Sequence, residues 1–137
     1  MKISKTHHVT KHGKIKKNPE TFNLPIQTAT IVPSTKNKHE KISSSEFESR
    51  VKITKEYLVS LFGGYTSVSS EGSFVTAEGR IVPEKSAVVV AYAERDKFKK
   101  HKKKWMDWCR DKAEEWEQES IGVIIENDMK YVNWSKK

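Results

Sequence analysis

The sequence predicts an α+β fold: a ferredoxin-like βαββαβ sandwich with two helices on one face of an antiparallel sheet, a short extra C-terminal strand and a basic N-terminal arm. Three observations predict it. Segments of β-branched, period-two patterning alternate with two long stretches of helical spacing. Their order is β, α, β, β, α, β, and right-handed crossovers then place the first and third strands at the centre of the sheet. The length of 137 residues, with 35% apolar content, suits one core rather than two.

Residues 1–21 form the expected arm and residues 22–137 the single domain. The first twenty residues, MKISKTHHVTKHGKIKKNPE, hold six lysines against one glutamate and almost nothing to bury. Such a segment does not offset its own ordering entropy, so flexibility is expected. Ile26, Thr28, Thr30 and Val32 then alternate with Gln27, Ala29 and Ile31 as far as Pro33, which gives the first strand. After the polar loop STKNKHEKI, Ser43 and Glu46 have the spacing of a capping box, and Phe47, Val51, Thr54, Leu58 and Leu61 recur at helical intervals. This helix ends at Phe62, because Gly63 stands where a C-cap favours positive φ.

YTSVSSEGSFVTAE and RIVPEKSAVVVAYA read as a hairpin turning at Glu78 and Gly79, with Gly72 suggesting a bulge and Pro83 confined to a bulge or a strand's beginning. The run AVVVAYA is apolar on consecutive positions, as a strand flanked on both edges should be. Asp96 is placed to cap the second helix, in which Phe98, Trp105, Cys109, Ala113 and Trp116 fall on one stripe with Trp108 beside it. SIGVIIEN makes the fourth strand, and Asn127 with Asp128 turns into the short MKYVNW extension.

The second helix is charged against its dipole. Lys97, Lys99, Lys100, Lys102, Lys103 and Lys104 crowd its start, and Glu114, Glu115 and Glu117 crowd its end. Each misplaced charge costs roughly 0.3 to 1 kcal/mol at low salt. Together with Lys11, Lys14, Lys16 and Lys17 of the arm and a net charge of +8, the cluster suggests an anion-binding surface. No aromatic RNA-binding signature marks the first or third strand, so contacts to nucleic acid would be mostly to phosphate.

Other chemistry is poorly supported. The glycine stretch LFGGYTSVSSEGSF lacks the lysine and the following helix of a phosphate-binding P-loop, and no cofactor motif is present. Acylphosphatase chemistry would need an arginine beside a glycine-rich loop where VPSTKNKHEKISSSE has none. His7, His8 and His12 have no thiolate or carboxylate support, so no metal site is assigned. Cys109, the one cysteine, reads as a core thiol, which fits a reduced cytoplasmic setting. With Ala87–Ala93 the longest uncharged apolar run, neither a membrane span nor a signal sequence is expected.

VPST, FESRV, FGGYTSV, EGSF, EGRIVPE and WEQESIGVIIE, in that order between Ile26 and Tyr131, resemble a family of small uncharacterised bacterial and archaeal proteins. The pattern is Phe-Gly-Gly-any-Thr, a Gly-any-aromatic step, a glycine turn followed by a glutamate, and Gln-Glu-any-aliphatic. The resemblance implies no activity. It marks Thr66, Glu84, Gln118 and Glu119 as shared polar positions that either satisfy strand ends or line a pocket.

These features lead to the expectation of a non-enzymatic accessory protein that binds nucleic acid, a nucleoprotein assembly or an acidic protein surface through its lysines. Two other readings remain open at this point. One is a protein-interaction module, with homodimerisation through the exposed edge strand YTSVSSEGSF. The other is a small hydrolase or nuclease using Glu84 and Glu119, which requires the two carboxylates to converge within reach of Thr66.

Overall fold

The computed structural model describes residues 8–9, 15–16, 23–37 and 39–134. Strands β1 (His8–Val9) and β2 (Ile15–Lys16) pair with each other, and the other positions of the predicted arm lie outside the described residues. The domain runs β3 (Ile26–Pro33), β4 (Thr35–Lys36), β5 (Glu40–Lys41), α1 (Ser44–Phe62), β6 (Thr66–Val75), β7 (Ile81–Ala93), α2 (Arg95–Glu115), β8 (Ser120–Ile125) and β9 (Asp128–Asn133). The main sheet has the order β6-β7-β3-β8-β9 with every neighbouring pair antiparallel. This is the predicted ferredoxin-like arrangement with one strand added beside β8.

Alternation along the central strands separates the two faces of the sheet. Ile26, Thr28, Thr30 and Val32 of β3, with Ala87, Val89, Ala91 and Ala93 of β7, are buried on the helix side. Threonine is tolerated there because each hydroxyl has a partner: Thr28 donates to the Ala91 carbonyl at 2.8 Å, and Thr30 accepts from Trp105 Nε1 at 3.0 Å. Phe62 of α1 packs near Phe98 and edge-on to Trp105 of α2, and Tyr57 stacks on Trp108 at 4.6 Å, so both helices share that face. On the opposite face Val68, Tyr92, Met129 and Tyr131 are exposed, with no helix over them among the described residues.

Local details follow the sequence except at four places. Ser43 is the α1 N-cap and accepts from the Glu46 N–H at 3.1 Å, and Gly63 closes the helix at φ 90° with its N–H on the Val59 carbonyl at 2.8 Å. Asp96 does not cap α2; Glu94 holds that position without a side-chain bond, which leaves Asp96 within the first turn. No bulge occurs at Gly72, because its pairing with Glu84 stays in register. The polar loop after Pro33 is a tight two-residue ladder, β4 with β5, turning at Asn37 with φ 43°. The last turn falls at Glu126, with φ 57°, and Asn127, so Asp128 already belongs to β9.

The β6–β7 hairpin outruns the sheet. β7 pairs with β3 from Ser86 onward but with β6 from Ile81, so Ile81–Lys85 and Glu71–Val75 form a ribbon of about 17 Å beyond β3. Pro83 sits in that ribbon, where its missing N–H costs no bond to a third strand.

Candidate functional site

The site forms where β3 ends. Pro33 closes the strand, the chain bends at Ser34, and Thr35 opens β4. One buried side chain holds this junction. Arg50, on the inner stripe of α1 and only 3% exposed, donates from Nη1 to the carbonyls of Pro33 at 2.9 Å and Thr35 at 2.8 Å. Its Nη2 reaches the Trp116 carbonyl and the Glu46 carboxylate, both at 3.4 Å, and the guanidinium lies 5.2 Å from the centre of the Trp116 ring. Burial lowers the Arg50 pKa, and the charge of Glu46 works against that shift. A buried cation is tolerable only when so surrounded by acceptors, and here Nε alone has no partner among the described residues.

Gln118, just beyond α2, donates from Nε2 to the same Thr35 carbonyl at 2.6 Å. The Thr35 hydroxyl in turn donates to Glu84 Oε1 at 3.0 Å, while Oε2 lies 4.0 Å from His39 Nδ1. Ser34 Oγ donates to the Lys85 carbonyl, which ties the bend to β7 a second time. The result is a carboxylate whose side chain is 27% exposed, fixed by a hydroxyl that two cationic or amide donors hold through its own backbone.

Glu84 lines two clefts. One, of about 360 Å³, lies against the β4–β5 ladder and the start of α1 and carries His39, Lys41, Glu71 and Lys85 as well as Glu84. The other, of about 290 Å³, opens on the bare face of the sheet. Its walls are Ile31, Ile121, Met129 and Tyr131 with the polar neutral groups of Ser86, Gln118 and Ser120, and among the described residues Glu84 is its one charged member. A wider hollow of about 740 Å³ between α1 and β6 is lined by Val51, Val59 and Tyr65 with the helix residues Lys52, Lys55 and Glu56, and it holds no member of the Arg50–Thr35–Glu84 network.

Of the four shared polar positions, the structure brings two together. Glu84 and Gln118 meet at Thr35. Thr66 is exposed six residues along β6 from Gly72, the partner of Glu84, which puts it about 20 Å away. Glu119 is exposed and lines neither cleft, so the expected convergence of Glu84, Glu119 and Thr66 does not occur. Arg50 and Thr35 were not singled out from the sequence, although FESRV and VPST contain them and Arg50 falls at helical spacing from Thr54.

Lys97, Lys99, Lys100, Lys102, Lys103 and Lys104 lie on the first half of α2, far along the fold from this junction, and Lys103 pairs with Asp107 at 2.8 Å. Among them His101 has its pKa lowered, first by burial and then by Lys100, Lys104 and Lys97, so it stays neutral further into the acid range than an ordinary histidine. Lys16 lies on β2, and Lys11, Lys14 and Lys17 are outside the described residues. Cys109 is buried, and burial pushes its thiol up to about 12. Among the described residues no three His, Cys, Asp or Glu side chains are grouped to hold a metal, and no helix is long and apolar enough to cross a membrane.

No protein-family model and no curated protein matches the chain, in keeping with a family of uncharacterised members. Solved structures do match. A phage S-adenosylmethionine lyase in complex with S-methyl-5′-thioadenosine superposes with a TM-score of 0.56 at 16% identity, over 81% of this chain and 92% of the lyase. A phage S-adenosylmethionine lyase in its apo state gives 0.60 at 14% identity, over 88% of this chain and 99% of the lyase. At these identities the likeness is one of fold. Both of these proteins are enzymes, and on that finding the expectation of a non-enzymatic nucleic-acid binder is set aside, with the edge-strand module as its alternative. The hydrolase or nuclease reading needs Glu119 in one concave site with Glu84, and Glu119 is exposed and lines neither cleft.

Proposed function

We propose that the chain is an enzyme that splits S-adenosylmethionine, with the Glu84 carboxylate anchoring the substrate's ammonium group. The observation that carries this reading is the setting of Glu84. It is a part-buried carboxylate, fixed by Thr35 and shared by two clefts, in a fold that matches 92% and 99% of two S-adenosylmethionine lyase chains.

The reaction that suits such a site breaks the bond between sulfur and the γ-carbon of the aminobutyrate chain. Sulfur keeps the bonding pair and leaves as the neutral thioether, S-methyl-5′-thioadenosine. An oxygen of the substrate's own carboxylate supplies a pair to the same carbon and closes homoserine lactone. Atoms and charge balance without water and without a proton leaving carbon. Because a carboxylate and a sulfonium are consumed together, exclusion of water from the reacting pair favours the step.

An elimination would instead need a protein base, whereas the carboxylate that lines both clefts is assigned to the substrate's ammonium group. Internal displacement asks the protein only to bind and orient, and orientation alone removes several kcal/mol of barrier. Incubation of the protein with S-adenosylmethionine, followed by chromatography and mass spectrometry, is expected to yield S-methyl-5′-thioadenosine and homoserine lactone in equal amounts. Unchanged substrate, or S-adenosylhomocysteine as the nucleoside product, would overturn the reading.

A further inference from the structure

The two clefts that meet at Glu84 differ in chemistry. The one beside the β4–β5 ladder presents cations and anions together, Lys41 and Lys85 with Glu71 and Glu84, which is the complement of a zwitterion. The one on the open sheet face has, among the described residues, Glu84 as its one charge and otherwise presents an aromatic ring, aliphatic walls and neutral hydrogen-bonding groups. The volumes, about 360 and about 290 Å³, lie at and just below the small end of ligand sites, which run from roughly 300 to 1,000 Å³. A ligand with two chemically different halves fits the pair better than a compact ligand fits either.

Two glycines shape the second cleft. Gly72 stands opposite Glu84 in the ladder, and a Cβ there would meet nothing within 4 Å, so the missing side chain leaves open space directly beside the carboxylate. Gly122 stands opposite Tyr131, and a Cβ there would come 3.2 Å from Met129 and 3.3 Å from Ile31. Bare backbone at Gly122 therefore lets Met129 and Ile31 close over the strand beside Tyr131, a residue 65% exposed. The product is a flat apolar shelf ending at a carboxylate.

We propose that one ligand spans both clefts: its uncharged nucleoside half lies on the Tyr131 and Met129 shelf in the space left by Gly72, and its amino-acid half lies in the cleft of Lys41 and Lys85, with Glu84 at the junction. This rests on the proposed function for the identity of the ligand and adds to it the division of the site. Aromatic faces stack on purine rings, and a neutral wall spares the nucleoside the desolvation of facing buried charge.

The two halves serve as separate probes. Amide chemical shifts are recorded as S-methyl-5′-thioadenosine or L-methionine is added to the full chain and to its Gly72→Val and Tyr131→Ala variants. The nucleoside is expected to shift Gly72, Gly122 and Tyr131, and methionine to shift Lys41, Glu71 and Lys85. Both variants should weaken the nucleoside by at least about tenfold and leave methionine within about twofold. Valine suits an extended strand and meets open space at position 72, so this variant separates binding from folding. Binding of both probes in one cleft, parental nucleoside affinity in Gly72→Val, or binding of neither probe would overturn the division. Turnover of S-adenosylmethionine with both halves in one cleft would spare the proposed function, whereas the predicted division without turnover would overturn the function alone.

Discussion

Arg50 is the residue on which the junction depends, and a pattern of apolar residues hides it. A charged side chain on a helical stripe is ordinarily solvated, but Arg50 is buried because its fork of donors matches carbonyls from the ends of β3 and α2 at once. Lysine carries the charge without the fork. Arg50→Lys is expected to lower stability by about 2 kcal/mol or more, read from denaturant unfolding, since carbonyls now paired would be left buried and unsatisfied. Unfolding at the parent's midpoint would show that these bonds are dispensable. Cys109 gives a second test at the same scale. Its thiol is raised from 9.0 to about 12 by burial, so the folded state keeps a proton that the unfolded chain loses. The stability this confers is complete below pH 9.0 and declines as pH rises through about 12. Native protein at pH 8 should resist thiol reagents that label it at once in denaturant, and rapid native labelling would contradict the burial.

At the scale of elements, the glycines separate into conformational and spatial roles. Gly63 closes α1 at φ 90°, and a Cβ there would lie 3.7 Å from Lys97 Nζ, an ordinary contact, so any cost of substitution is backbone strain. Gly63→Ala should therefore destabilise by about 1 kcal/mol and leave turnover per folded molecule unchanged. A variant that melts like the parent yet loses turnover would make the glycine stretch part of the site. The helix stop was legible because it needs only local spacing and one positive φ. Gly72 was not, because a strand glycine reads locally as a bulge, and only its register with Glu84 shows that it opens space instead. The cap was misplaced by two residues for a similar reason: a good capping residue such as Asp96 does not cap when the helix already begins at Arg95 and Glu94 takes the N-cap position.

For the whole molecule, the order of strands and helices follows from periodicity, and the sheet order follows from that together with crossover handedness. The site does not follow, since Thr35, Arg50, Glu84 and Gln118 are joined by bonds that cross 15 to 83 residues of chain, mostly to backbone carbonyls, and leave no spacing to read. Glu84 and Gln118 were visible through the family resemblance, whereas the two residues that connect them were not. The lysines of α2 drew attention because charge is legible in sequence, while a half-buried carboxylate is legible only in three dimensions.

The central claim is that Glu84 anchors a substrate that the chain splits, and it is tested most directly by turnover of S-adenosylmethionine in Glu84→Gln. Glutamine keeps the shape of the side chain and an oxygen to accept from Thr35, so folding should be preserved and melting should match the parent. The account predicts a fall in kcat/KM for formation of S-methyl-5′-thioadenosine of about 100-fold, or roughly 3 kcal/mol of transition-state stabilisation. Formation of S-methyl-5′-thioadenosine at the parent's rate by a folded Glu84→Gln variant would contradict it.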